Sequence, residues 1–213
     1  MEHQWSEWVN WLQQRLQQPL PGYEAQRKMM NINRPDVRVT PETARQSGVM
    51  LLLYPEAQDV RLVLIERTDD GGVHGGQIAL PGGRKEDYDT DIVDTALREA
   101  NEEVNLDRES VQVLGQLSPL YIPVSNFEVH PVIVVSDRKP ELSPSEAEVA
   151  RILYLSLSGI FADKDDVEVR PSGFPNMTIR TVAYMMNDTK YIWGATAMIL
   201  SELEAIWEER PGQ

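Results

Sequence analysis

Residues 80–106 read LPGGRKEDYDTDIVDTALREANEEVNL. Val93, Ala96, Leu97, Ala100 and Val104 fall within roughly 100° of one another on a helical wheel, which predicts an amphipathic helix over 91–104. Glu99, Glu102 and Glu103 gather on a flank centred roughly 120° away. Ala96 and Ala100 are small enough to let this helix lie close on a sheet. Like-charged neighbours at these spacings cost a few tenths of a kcal/mol per pair, on the order of 0.2–0.5. Spacing alone therefore leaves two readings: a solvated acidic face, or a site for a hard cation such as Mg2+ or Mn2+, which prefer carboxylate oxygen. The turn Pro81-Gly82-Gly83 just upstream favours the second. Its glycines let backbone approach a ligand, with N–H groups available to phosphate oxygens.

Outward from this stretch, VMLLLYP at 49–55 and VRLVLIER at 60–67 predict two buried strands joined by a short turn. TDDGGVHGG at 68–76 predicts a flexible loop. Strands follow at 111–121 and 127–135, then a loop over 137–148 and a short strand and helix over 150–160. Residues 167–170 and 177–185 pair as a hairpin, and a terminal helix covers 195–209. At the other end, Trp8, Trp11, Leu12 and Leu16 mark a helix over 3–18, stopped by Pro19, Pro21 and Gly22; residues 23–47 read as extended coil. The order predicts an α/β (α+β) fold, a mixed sheet with helices on both faces.

The 213 residues carry 34 acidic and 20 basic side chains, a formal net charge of -14. Such a surface does not attract nucleic acid, and an acidic enzyme of anionic phosphates calls for a divalent cation. The absence of cysteine excludes disulfides, thiolate zinc sites and a cysteine nucleophile. No apolar run approaches the roughly 18 residues of a membrane span, and the polar N-terminus is unlike a signal peptide. A cytoplasmic protein with no membrane partner is expected.

The same stretch resembles the Nudix box, G-x5-E-x7-R-E-U-x-E-E-x-G-U, with U a bulky apolar residue. Arg98-Glu99-Ala100-Asn101-Glu102-Glu103-Val104-Asn105-Leu106 follows its second half. Asn105 replaces Gly at a position expected to end the helix with positive φ, and Ala100 is small for U. Gly83 precedes Arg98 by fifteen positions rather than fourteen, and Asp89 stands in for the first Glu. Upstream, Arg67, His74, Gly76, Gln77 and Pro81-Gly82-Gly83 resemble the added motif of coenzyme A pyrophosphatase-like Nudix hydrolases, as does Trp193-Gly194-Ala195-Thr196-Ala197 near the end. Gly72 occupies the place of that motif's later Arg.

The resemblance implies a Nudix-type mixed, curved β-sheet sandwiched between helices. Residues 1–40 would form an N-terminal helix and extended segment, and residues 41–213 the hydrolase domain. It implies hydrolysis of a pyrophosphate linkage in a nucleotide derivative. Coenzyme A or acyl-coenzyme A would yield 4'-phosphopantetheine, or its acyl form, and adenosine 3',5'-bisphosphate. The alternatives are ADP-ribose or another nucleoside diphosphate derivative, and a non-catalytic nucleotide-binding domain. Glu99, Glu102 and Glu103 are the implied ligands of Mg2+ or Mn2+. Arg98 orients a carboxylate or forms an ordinary surface salt bridge, and Glu102 also acts in catalysis. Glu146 and Glu148 are either general-base candidates or solvated loop acids. Arg67, His74, Gln77, Gly82 and Gly83 are expected on the substrate; His74 alternatively braces its loop. Three N-terminal tryptophans and the family's tendency suggest a homodimer.

Overall fold

The computed structural model describes residues 2–31, 37, 39–69, 75–170, 177–187 and 189–211. His74, Gly72 and most of the predicted loop 68–76 lie outside them, as does part of the predicted coil 23–47. Helix α1 (Glu2–Arg15) is followed by a short α2 (Gly22–Gln26) and a 3-10 turn at Arg27–Met29, so residues 22–29 are helical rather than extended coil. The cause is tertiary. Gln26 donates to Glu202 and to the Ser118 carbonyl, Ser201 donates to the Ala25 carbonyl, and Met29 is buried.

The strands then run β1 (Arg45–Glu56), β2 (Asp59–Arg67), β3 (Ile78–Ala79) and β4 (Gly82–Arg84) before helix α3 (Ile92–Val104). After it come β5 (Gln112–Gln116), β6 (Leu120–Ile122), β7 (Phe127–Val135), β8 (Val149–Ser156), α4 (Leu157–Ala162), β9 (Lys164–Val169), β10 (Ile179–Asn187), β11 (Lys190–Ile192) and α5 (Gly194–Trp207). Eight strands form one mixed sheet along the path β3-β2-β1-β7-β5, with β4 on β1, β6 on β7 and β8 on β2. Only β1 and β7 run parallel among these pairs, from Arg45 opposite Phe127 to Leu53 opposite Val135. A second sheet of three strands, β11-β10-β9, stands apart from the expected single sheet.

The central strands read as continuous apolar runs because both faces are covered. Leu51, Leu53, Leu62, Leu64, Ile133 and Val135 point into one core with α1 and α5. Met50, Leu52, Val63, Ile65, Val132 and Val134 point into the other with α3. Ala96, Ala100 and Val104 of α3 are fully buried, and Val93 and Leu97 pack at the margin. At Gly48 of β1 a Cβ would lie 2.7 Å from the Ile92 carbonyl oxygen, so helix and sheet approach here to backbone distance. That is the use of the two small alanines. The N-terminal tryptophans serve this chain's own core. Trp5 is buried, and the partly buried Trp8 and Trp11 pack against the same core. Among the described residues no helix is long and apolar enough to cross a membrane.

Candidate active site

Both ends of α3 are fixed by local chemistry. Asp91 caps the start, accepting from the Asp94 N–H at 2.9 Å. Asn105 ends it in the left-handed region, φ 54 and ψ 42, as its place in the sequence predicts. The carbonyls of Glu103 and Val104, orphaned at the helix end, accept from the N–H groups of Ser145 (2.8 Å) and Ser143 (3.0 Å). The segment 143–149 is thereby strapped to the end of α3. The Glu148 carbonyl accepts from the Thr68 N–H, which ties the strap to the end of β2 as well.

Two of the three glutamates face the Pro81-Gly82-Gly83 turn. Glu103 is buried, 1% exposed; it accepts from the Gly82 N–H at 2.8 Å and pairs with Arg67 at 3.2 Å. The Gly82 N–H is thus engaged by a carboxylate, where the sequence had suggested a phosphate. Glu99 lies so close to Gly83 that a Cβ there would fall 2.5 Å from its carboxylate. Glu102 is half-exposed and pairs on the solvent side with Arg98.

The electrostatics separate these groups. Desolvation pushes the Glu103 carboxyl up to about 7 against the opposing Gly82 N–H and Arg67, and the charges of Glu99 and Glu148 push the same way. Glu99 is raised too, first by burial, with Glu102 and Glu148 adding to it and Arg98 opposing. Glu148 is therefore near enough for both helix glutamates to feel its charge, although its own side chain is exposed. Glu146 is also exposed. A buried, mutually repelling acidic set suits a hard cation. Among the described residues no three carboxylates are gathered as a ready metal cage. Two glutamates with phosphate oxygens and water completing the shell match the habit of Mg2+, which takes one or two carboxylates beside substrate phosphates.

Arg98 is a hub and no ordinary surface cation. Its Nε and Nη2 reach the two Asp89 oxygens at 2.8 and 3.1 Å, and Nη2 also donates to the Arg84 carbonyl. The guanidinium meets Glu99 at 2.9 Å. Asp89 is itself buried and accepts from the Thr95 hydroxyl and the Glu86 N–H. The Arg98 bonds hold its carboxyl well below the usual carboxylate range. The shorter Asp reaches Arg98 from a tight turn closed at Glu86–Asp89, where Lys85 caps the Asp89 carbonyl.

Two features escape sequence reasoning. Glu66 gathers Lys190 (2.8 Å) and Arg151 across strands far apart in the chain. Burial pushes its carboxyl up, but these cations outweigh it and hold it low. Beside it opens a cleft lined by Gly76, Gln77, Arg170, Lys190, Tyr191 and Trp193, among others. Of these, Gly76, Gln77 and the Trp193 segment carried a signal.

Residues 44–175 match the NUDIX domain family. The Nudix hydrolase NudL of Pectobacterium atrosepticum is 37% identical over 170 residues, spanning 78% of this chain and 85% of that protein. The chain belongs to the Nudix family. A second relative within that family, the chloroplastic Nudix hydrolase 22 of Arabidopsis thaliana, is 32% identical over 78% of this chain, which spans 57% of the plant protein. The Nudix hydrolase RenU of M. smegmatis has the same fold, with TM-score 0.55 at 15% identity over 87% of this chain and 96% of that one. Family membership makes the chain a Nudix pyrophosphohydrolase acting on a nucleotide diphosphate derivative.

Proposed function

We propose that the turn at Gly82–Gly83 and the carboxylates of Glu99, Glu103 and Glu148 are where a nucleoside diphosphate derivative is cleaved. The observation that carries this is the buried Glu103 carboxylate, kept beside two further acids at a cost to folding. Glu99 and Glu103 are the residues that would hold Mg2+ or Mn2+, with Glu102 at the rim. A divalent cation bound there supplies charge neutralisation to the phosphoryl oxygens and to the leaving phosphate. Water attacks one phosphorus, and the bond to the bridging oxygen breaks. Glu148 accepts the water's proton, a role supported by the reach of its charge to both helix glutamates. Arg98, locked by Asp89, positions Glu99. Gly83 leaves room for that carboxylate.

The comparisons support the broad class of nucleoside diphosphate derivatives. Coenzyme A is the member suggested by the motif at residues 67–83; ADP-ribose is the principal alternative, favoured by Gly72 where that motif has Arg. One panel with Mg2+ or Mn2+ decides between them: coenzyme A, dephospho-coenzyme A, ADP-ribose, NADH and a diadenosine polyphosphate. Release of 4'-phosphopantetheine from coenzyme A alone supports that substrate, and preference for ADP-ribose refutes it while keeping the hydrolase. Binding of one member without turnover of any points to the non-catalytic reading.

Glu103→Gln tests the site itself. The amide oxygen still accepts from Gly82, while the buried charge, worth about 3 kcal/mol at 1.36 kcal/mol per pKa unit, is gone. Metal-free Tm at pH 8 is expected to rise, and turnover to fall at least 100-fold at saturating Mg2+. Near-normal turnover in both Glu103→Gln and Glu99→Gln removes the metal role. Glu148→Gln is expected to lower kcat about 100-fold, and Glu146→Gln to stay within about twofold; equal effects refute the assignment of the base.

A further inference from the structure

The cleft beside Glu66 has a volume of about 240 Å³. It lies between the residues that lead into β3, the end of β9 and the hairpin of β10 and β11. Pockets for whole drug-sized ligands run to roughly 300–1,000 Å³, so this one suits one end of a substrate. Arg170 and Lys190 line the cleft, and among the described residues no carboxylate does, in a chain of 34 acidic and 20 basic residues. Lys190 is engaged by Glu66. Arg170 is exposed and makes no ion pair with a described residue. Tyr191 and Trp193 offer partly exposed rings at the same wall.

The cleft is coupled to the carboxylates by short covalent and hydrogen-bonded paths. Arg67 binds the Gln77 carbonyl through its backbone N–H at 3.0 Å and Glu103 through its guanidinium. Gln77, in the cleft wall, precedes Gly82 by five residues, a separation of at most about 18 Å for an extended chain. The cleft wall and the Gly82–Gly83 turn are thus joined by five residues of chain and by the Arg67 bridge.

We propose that this cleft binds the phosphorylated nucleoside end of the substrate, the base against Tyr191 and Trp193 and a phosphate outside the cleaved linkage on Arg170. The assignment of the substrate's two ends rests on the reading of Glu99 and Glu103 as the hydrolytic site. Aromatic rings accept any base by stacking, and a guanidinium matches phosphate in a planar, paired geometry. The extra phosphate is what Arg170 would read.

The test is binding without turnover. Adenosine 3',5'-bisphosphate and adenosine 5'-monophosphate are titrated calorimetrically into the full chain, the variants being checked for folding by circular dichroism. Arg170→Ala is expected to weaken the bisphosphate about tenfold and the monophosphate less than threefold. Trp193→Ala is expected to weaken both about tenfold; Tyr191→Ala takes its place if that variant does not fold. Wild-type protein that binds neither nucleotide at millimolar concentration overturns the proposal. So does an Arg170→Ala effect that is equal for the two nucleotides, or within twofold for the bisphosphate. A chain that binds as expected but hydrolyses no panel member keeps the cleft and refutes the hydrolytic reading. A hydrolase with unchanged nucleotide binding in these variants does the reverse.

Discussion

Asp89 shows how one residue sets the working geometry of another. It holds Arg98 through two oxygens, and Arg98 in turn meets Glu99. Asp89→Asn removes the charge from that clamp and is expected to cost about 2 kcal/mol at pH 7, the scale of a hydrogen bond to a charged group. The pH dependence follows from the depressed folded pKa of Asp89. An unfolded Asp titrates near 3.9. Below that value the unfolded chain binds the proton first, so this contribution to stability diminishes with acid. It is complete above the unfolded value and vanishes as pH falls through the folded one. Urea midpoints at pH 7 and pH 3 should show the gap between wild type and Asp89→Asn narrowing at the lower pH. A gap that widens there contradicts the clamp.

At the scale of elements, Asn105 carries a prediction of its own. A side chain in the left-handed region costs roughly 1–2 kcal/mol unless it is Gly, or Asn with its local hydrogen bonds. Its neighbour Asn101 already donates to the Leu106 carbonyl across the turn. Asn105→Ala should therefore lower stability by about 1 kcal/mol and Asn105→Gly should not; thermal melts of the pair decide it. This residue, α3 and the β1–β2 hairpin were legible in the chain because each is written in local spacing. The parallel match of Arg45–Leu53 with Phe127–Val135 was not, since it joins segments about 80 residues apart. Nor were the helical turns at 22–29, which Glu202 and Ser201 of α5 hold in place. In the site, the periodicity of α3 separated its Glu flank from its apolar face. It did not foretell that Glu103 would take the Gly82 N–H and Arg67, because those partners arrive through β4 and β2. Arg170 and Lys190 belong to no local pattern and become neighbours only when the second sheet forms.

On the scale of the whole molecule, the N-terminal helix belongs to the same core as the sheet. Leu12 is 1% exposed, and Arg15 forms two hydrogen bonds to Glu209 at 2.6 and 3.0 Å. Leu12→Ala should cost about 2–5 kcal/mol, the range for emptying a buried leucine site, as read by chemical denaturation; a cost under 1 kcal/mol would mean that α1 is a detachable arm. The aromatic rings on this helix have an optical consequence. Trp5 and Trp8 are stacked at 5.0 Å with planes 18° apart, and Trp8 meets Trp207 edge-on at 6.0 Å. Transition dipoles held this close in a fixed asymmetric arrangement couple, and the coupling splits the indole band into a circular-dichroism couplet. Trp8→Phe should erase that couplet while leaving the helical signal in place. The docking of the two chain ends can then be followed by light alone, without a label.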